Sequence, residues 1–275
     1  MSMTVDGLDP DLGVGLASVG FRLKERHRVL RGRVERRLDQ LIPPEHVDPR
    51  PLHQSMRYSL LSGGKRMRPL LTLQVASDLG GSVDDALDVG CAIEMIHAAS
   101  LILDDLPCMD DAALRRGQPA NHLVFGEDTA ILAPTALLNR AFGVVADCDR
   151  LPAQTRLDLT RLLSDAVGSD GIIAGQFCDL RSKRGHTDDE AGLARMYIQK
   201  TGALFVAALE AGARVAGVDK TAVAAVREYG TNLGLAFQLL DDLLDSHGTT
   251  EDSGKDTGQD RDASLASRLG ARGAR

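Results

Sequence analysis

Two stretches of this chain repeat apolar or small residues at intervals of three and four, and almost nothing in it alternates. Ala86, Val89, Ile93, Ile96, Ser100 and Leu103 form the first, and Val223, Val226, Tyr229, Leu233, Phe237, Leu240 and Leu244 the second. Such spacing winds a stripe down an α-helix, so each predicts a long helix with one buried face. β-branched and aromatic runs bounded by turns, the usual mark of strands, are scarce. Tryptophan is absent and aromatics are only 3%, so Leu, Ala, Val and Ile must fill the core. Weaker helical patterns cover residues 50–61, 67–79, 127–146, 154–168 and 188–215. Gly63-Gly64, Gly80-Gly81, Gly117 with Pro119, and Gly185 break them apart. With no internal repeat and no linker, the 275 residues read as one all-α domain around a central cavity.

Residues 1–18, rich in Gly and Asp, are expected to be poorly ordered, and 19–275 to form the domain. The segment Phe21 to Leu41 is strongly basic, with Leu23, Val34, Leu38 and Leu41 as its sparse apolar positions. A basic helix can lie on an anionic membrane, but so thin an apolar face favours a solvated first helix. The net charge of −7 argues against nucleic acid as a partner, without excluding an anionic substrate held by local cations. Cys91, Cys108, Cys148 and Cys178 form no CxxC pair and read as buried free thiols in a reducing cytoplasm. No signal peptide and no transmembrane segment is expected, since no apolar run approaches the roughly 20 residues needed.

Both regular helices end in aspartates: Leu103-Asp104-Asp105-Leu106-Pro107-Cys108-Met109-Asp110-Asp111, and Gln238-Leu239-Leu240-Asp241-Asp242-Leu243-Leu244-Asp245. Acidic helix ends are commonly just solvated, but these grow out of Leu-rich helices. Asp241 and Asp245 share a helix face, where like charges repel unless a cation sits between them. Asp104 and Asp110 would diverge on a regular helix, but Pro107 cannot continue the ladder and lets the chain bend Asp110 back. Carboxylates without His or Cys partners suit Mg²⁺ or Mn²⁺, and Mg²⁺ favours a few carboxylates, water and substrate phosphates. Basic residues for such a substrate stand in Ser62-Gly63-Gly64-Lys65-Arg66-Met67-Arg68-Pro69, Leu114-Arg115-Arg116-Gly117, Lys200-Thr201-Gly202 and Gly254-Lys255-Asp256. Taken alone, His97 reads as a core or cavity histidine.

In order and separation, GGKRMRP, DDLPCMD with RRG behind it, KTG, FQLLDD and GKD resemble the trans-isoprenyl diphosphate synthase family, most nearly its bacterial geranylgeranyl diphosphate synthases. The resemblance spans Gly63 to Asp260. It implies an isoprenoid-synthase-type helical bundle with a deep central cavity, usually in a homodimer. It implies that Asp104, Asp105 and Asp110, with Asp241 across the cavity, hold up to three Mg²⁺, Mn²⁺ being able to substitute. Arg115, Lys200 and Lys255 match positions on the allylic diphosphate, and Lys65, Arg68, His97 and Arg116 match positions on isopentenyl diphosphate. Lys200, Thr201 and Gln238 match positions that line the reaction centre. Ala99 and Ser100, both small, match the floor that sets product length, and imply geranylgeranyl diphosphate made from farnesyl diphosphate.

The sequence departs from the family pattern in three places. Pro134-Thr135 stands where many relatives have Gly-Asp and should kink its helix. Gln259 replaces a frequent lysine, and the end at Arg275 suggests a shortened C-terminal helical segment. The alternatives are a farnesyl diphosphate synthase, a non-catalytic modulating subunit and a terpene cyclase. A subunit of that kind is expected to have lost an aspartate motif, and a cyclase has no second diphosphate to bind.

Overall fold

In the computed structural model of the chain, the backbone is described for residues 10–186 and 189–247, and side chains for 24–186 and 189–240. Helices run as α1 (Pro10–Leu41), α2 (Arg50–Leu60), α3 (Met67–Asp78), α4 (Val83–Asp104), α5 (Asn121–Phe125) and α6 (Glu127–Ala146). They continue as α7 (Ala153–Val167), α8 (Ile172–Lys183), α9 (Glu190–Tyr197), α10 (Ala203–Ala216) and α11 (Lys220–His247), with a π-helical turn, Ile198–Gly202, between α9 and α10. A two-residue hairpin, β1 (Leu114–Arg115) with β2 (Gln118–Pro119), is the sole sheet among the described residues. The all-α class is therefore correct.

The helix that the periodicity marks most strongly is the centre of the bundle. α4 packs against α3, α6 and α10, and every residue from Val89 to Ile96 is buried. Over that stretch it is thus covered all round rather than on one face, with Glu94 its one charged residue. Ser82 caps its start, its side chain accepting from the Asp85 amide at 3.3 Å. By length and composition alone α4 and α6 could each cross a membrane, which charges scattered along the linear text conceal. In the fold, α4 is the shared wall of three neighbours.

Several expectations need correction. α1 begins at Pro10, so the boundary drawn at residue 18 falls inside a helix. α8 was not expected at all, and the pattern over 188–215 resolves into α9, the π turn and α10. Pro134 lies inside α6 and is buried, and the helix does not end there. Of the four thiols only Cys91 and Cys148 are buried; Cys108 is exposed. The stripe on α11 is met in part: Val223, Val226, Leu233 and Phe237 are half-buried, Tyr229 and Leu240 are exposed, and Gly230 and Gly234 between them are buried. A methyl group at Gly234 would come within 2.5 Å of Gly202 Cα, so that glycine lets the two backbones touch.

One buried cation ties the front of the bundle together. Arg66, 2% exposed, donates from Nη1 to Glu94 of α4 (2.8 Å) and from Nε to Glu35 of α1 (2.8 Å). Its Nη2 donates to the Leu60 carbonyl at the end of α2 (2.7 Å). The residue itself sits in the left-handed region at φ 51°, at the start of α3. Removing one member of such a pair strands a charge, at a cost of roughly 3–5 kcal/mol. Arg66→Met should therefore lower unfolding free energy by about that much, whereas Lys65→Met, at an exposed site, should change it by less than about 0.5 kcal/mol. Urea titrations of the two variants measure the difference.

Candidate active site

The acidic end of α4 folds back as Pro107 requires. α4 stops at Asp104, Asp105 takes the C-cap, and the Asp110 amide donates to the Asp104 carbonyl at 2.9 Å. Asp104 and Asp110 are thereby brought together although six residues separate them. Asp105 points elsewhere: Arg115 Nε donates to its Oδ1 at 2.9 Å, and the Arg115 Nη2 group closes a second contact. Burial pushes the Asp105 carboxyl up, and the Arg115 guanidinium pulls it down.

Lys200 comes to this corner from the π turn. Its Nζ lies 2.6 Å from Asp179 Oδ2 and 3.9 Å from Asp104 Oδ2. The turn can approach because α8 offers a glycine: a methyl group at Gly175 would sit 2.3 Å from the Lys200 amide nitrogen. π turns inside helices often mark functional sites, since the surplus residue re-aims side chains. Here it also presents Thr201, whose hydroxyl donates to Gln238 Oε1 of α11 at 2.6 Å. Burial works against the Lys200 charge, but Asp104 and Asp179 outweigh it and raise its pKa.

On the other side of α4, Arg68 Nη1 donates to His97 Nε2 at 3.3 Å, and its guanidinium lies 4.5 Å above the Phe205 ring. Burial, then Arg68, Arg116 and Arg115, hold His97 well below the usual imidazole range, so the ring is neutral and accepts. Arg116 Nη1 donates to the Gly63 carbonyl at 2.5 Å, bracing the double glycine, and Lys65 is exposed beside it. Arg115, Arg116 and Asp105 also line a small pocket with Tyr58, Ser62 and Asn121. Behind the aspartates, Ala99 is buried in the core, while Ser100 is part-exposed and donates to the His97 carbonyl at 2.9 Å.

Thus Asp104, Asp110, Lys200, Thr201 and Gln238 are assembled, as are Arg68, His97 and Arg116. Arg66, which the text places among the substrate cations, is turned into the core. The side chain of Asp241, three residues beyond Gln238 on α11, and all of Lys255 and Gln259 lie outside the described residues. Among the described residues no three acidic, His or Cys groups form a complete metal cage. The oxygen-only donors Asp104 and Asp110 suit a hard divalent ion that shares its shell with water and phosphate.

Sequence reasoning missed three residues, all on α8. Asp179 and Lys183 stand one turn apart, and both reach the cluster: Lys183 Nζ is 3.2 Å from Asp179 Oδ2 and 2.9 Å from Asp110 Oδ1. Gln176, one turn earlier, buries both amide atoms with no hydrogen-bond partner among the described residues. An acid and a lysine at i and i+4 was the available signal. Glycines at 168, 171 and 175 weaken the helical pattern of the segment.

The polyprenyl synthetase family model matches residues 49–271. The chain belongs to that family. The geranylgeranyl diphosphate synthase of Pantoea ananas is 47% identical over 242 residues, covering 87% of this chain and 78% of that enzyme. Geranylgeranyl pyrophosphate synthase 12 of Arabidopsis thaliana is 43% identical over 81% of this chain, which spans 62% of that protein's length. A geranyltransferase of Helicobacter pylori, solved with magnesium and isoprenyl diphosphate, superposes with a TM-score of 0.82 at 30% identity, covering 100% of this chain and 87% of that one. An FPP/GFPP synthase of Zymomonas mobilis gives 0.79 at 36% identity, covering 83% of each chain. This polyprenyl synthetase is accordingly a trans-prenyltransferase by family, with the isoprenoid-synthase fold that its motifs implied.

Burial pushes the Asp104 carboxyl up to about 6, with Lys200 opposing the rise. A raised acid favours the folded state while protonated. Its contribution is therefore full below its ordinary value of 3.8 and is lost as pH rises through about 6. In EDTA, wild-type stability should fall by about 2 kcal/mol between pH 4 and 7 through this group, and Asp104→Asn should flatten that decline. Urea unfolding at the two pH values checks it.

Proposed function

We propose that this protein condenses isopentenyl diphosphate with an allylic diphosphate, farnesyl diphosphate foremost, to give geranylgeranyl diphosphate. The single observation that carries this is the meeting of the α4 aspartates with the π turn. Asp104 and Lys200 lie 3.9 Å apart, and next along the turn Thr201 is bonded to Gln238. Two motifs about 100 residues apart thus build one diphosphate corner. The names of the Pantoea and Arabidopsis relatives support the product.

Asp104 and Asp110, with Asp241 from α11, are the residues that would hold up to three Mg²⁺, or Mn²⁺ in their place. Such ions, when bound, supply Lewis-acid neutralisation of the departing diphosphate. Asp105 acts at one remove, by fixing Arg115. Lys200, Arg115 and Lys255 take the allylic diphosphate through charge-assisted hydrogen bonds, which strengthen as charge develops on it. Lys65, Arg68, Arg116 and His97 take isopentenyl diphosphate. The allylic C–O bond breaks with its electron pair remaining on diphosphate. The isopentenyl π pair then forms the new C–C bond, and the tertiary cation gives its proton to an oxygen of the released diphosphate. The polar pair Thr201 and Gln238 faces this centre, and the apolar wall keeps water from quenching the cation.

The same proposal takes the enzyme to be a cytoplasmic homodimer. Four unpaired thiols suit a reducing compartment, and exposed Leu123, Val124, Ile131 and Leu132 on α5 and α6 offer an apolar face for a second copy.

Incubation with isopentenyl diphosphate, farnesyl diphosphate and Mg²⁺ should give a twenty-carbon product by mass. No consumption of farnesyl diphosphate would refute the product assignment, and no product from any primer the activity itself. Ala99→Tyr should fill the channel floor and shift the product towards farnesyl diphosphate, read by chromatography of the dephosphorylated alcohols. An unchanged product length would put the floor elsewhere.

The two diphosphates should also separate by mutation. Lys65→Ala and Arg68→Ala should weaken isopentenyl diphosphate about tenfold or more, and Lys200→Ala the allylic partner, since one charge-assisted contact is worth roughly 1.5–3 kcal/mol. Initial rates with each substrate varied in turn measure both effects. Equal weakening of both substrates by every variant would contradict the division.

A further inference from the structure

Two ammonium groups, not one, neutralise the acidic corner. In order across it stand Asp104, Lys200, Asp179, Lys183 and Asp110, each charge within 4 Å of the next: 3.9, 2.6, 3.2 and 2.9 Å. Lys200 belongs to the Lys-Thr-Gly motif. Lys183 belongs to none of the motifs by which the chain was read. It is the last residue of α8, on a helix end that favours a cation, and its stem reaches across to the aspartate loop after α4. Lys183 is exposed and Asp110 half-buried, but their side chains keep only 26% and 17% exposure, so solvent screens their attraction only in part.

A hard divalent ion needs Asp110 oxygen at about 2.1 Å. Lys183 donates to Asp110 Oδ1 at 2.9 Å, and an ammonium and a dication on one carboxylate repel each other. We infer that Lys183 is a resident counter-ion for Asp110: it holds the aspartate loop in place in the metal-free enzyme and competes with the divalent ion for that carboxylate. The enzyme's metal requirement is thereby set above what its aspartates alone would give. Once displaced, the ammonium keeps its second partner, Asp179, one turn back on its own helix. This inference rests on the assignment of Asp104 and Asp110 as metal ligands.

The test uses the full-length, metal-free protein and Mn²⁺ alone as probe, with free Mn²⁺ followed by electron paramagnetic resonance. Lys183→Met keeps the stem and removes the charge. It should bind Mn²⁺ about tenfold more tightly and melt at a lower temperature in EDTA. Lys183→Arg, which restores a cation, should return both values towards wild type. Arg184→Met removes a neighbouring charge that makes no side-chain contact with the cluster, and should alter Mn²⁺ affinity less than about twofold. Unchanged or weaker Mn²⁺ binding in Lys183→Met would overturn the inference, as would equal tightening in Arg184→Met. Asp110→Asn separates the two levels. If it abolishes Mn²⁺ binding while Lys183→Met does nothing, only the counter-ion role fails. If Asp110→Asn leaves binding intact, the metal assignment itself falls, and the inference with it.

Discussion

The guanidinium of Arg66 is the point on which the substrate-facing half of the bundle turns. Buried charges are costly unless every donor finds a partner, and this one spreads its contacts over α1, the end of α2 and the middle of α4. The loop that carries it is thereby pinned from the inside. Lys65, the residue before it, and Arg68, two residues after it, are left to face outward and towards His97. Glu94 lies within 3.9 Å of Arg116 as well, so the same carboxylate that neutralises Arg66 helps aim a second cation at the double glycine. Buried and solvent-facing cations are interleaved in one seven-residue run, and the fold rather than the local sequence tells them apart.

The acidic corner is assembled by backbone devices of a different kind. A proline ends α4 and turns its aspartates back, a π turn swings a lysine and a threonine inward, and glycines at 175 and 234 remove the bulk that would hold the elements apart. None of these is a strong interaction. Each fixes a position to within a fraction of an ångström, which catalysis by charge placement demands.

Much of this was legible in the text because it depends on local rules. Periodicity located α4, and Pro107 foretold the return of Asp110. What stayed hidden depends on partners far along the chain. Nothing beside Arg66 in sequence announces Glu35 and Glu94, so it read as one more phosphate ligand. α8 carries three glycines in and before its first turns: Gly168 and Gly171 lie against the backbone at the end of α7, and Gly175 against Lys200, partners that the sequence around them does not show. The predicted stripe on α11 followed large side chains, and Phe237 does pack on Phe205, but the closest approaches run through Gly230 and Gly234, which a pattern of large apolar residues passes over. Burial on all sides of α4 likewise could not be told from burial on one side, since periodicity records only where the polar residues are not.

The π turn has one more consequence. α9, the turn and α10 form a single rod in which one residue is surplus to the regular winding. Each residue advances the helix by about 100°, so that surplus sets the rotational phase between the two ends of the rod. Leu193, Met196 and Tyr197 pack in one cluster before it, and Leu204, Ala207, Ala208 and Ala211 in the main core after it. Deleting a single residue here would regularise the hydrogen bonding yet turn one of those two faces out of its core. Selection on length should therefore be strict throughout residues 193–211, on both sides of Lys200 alike.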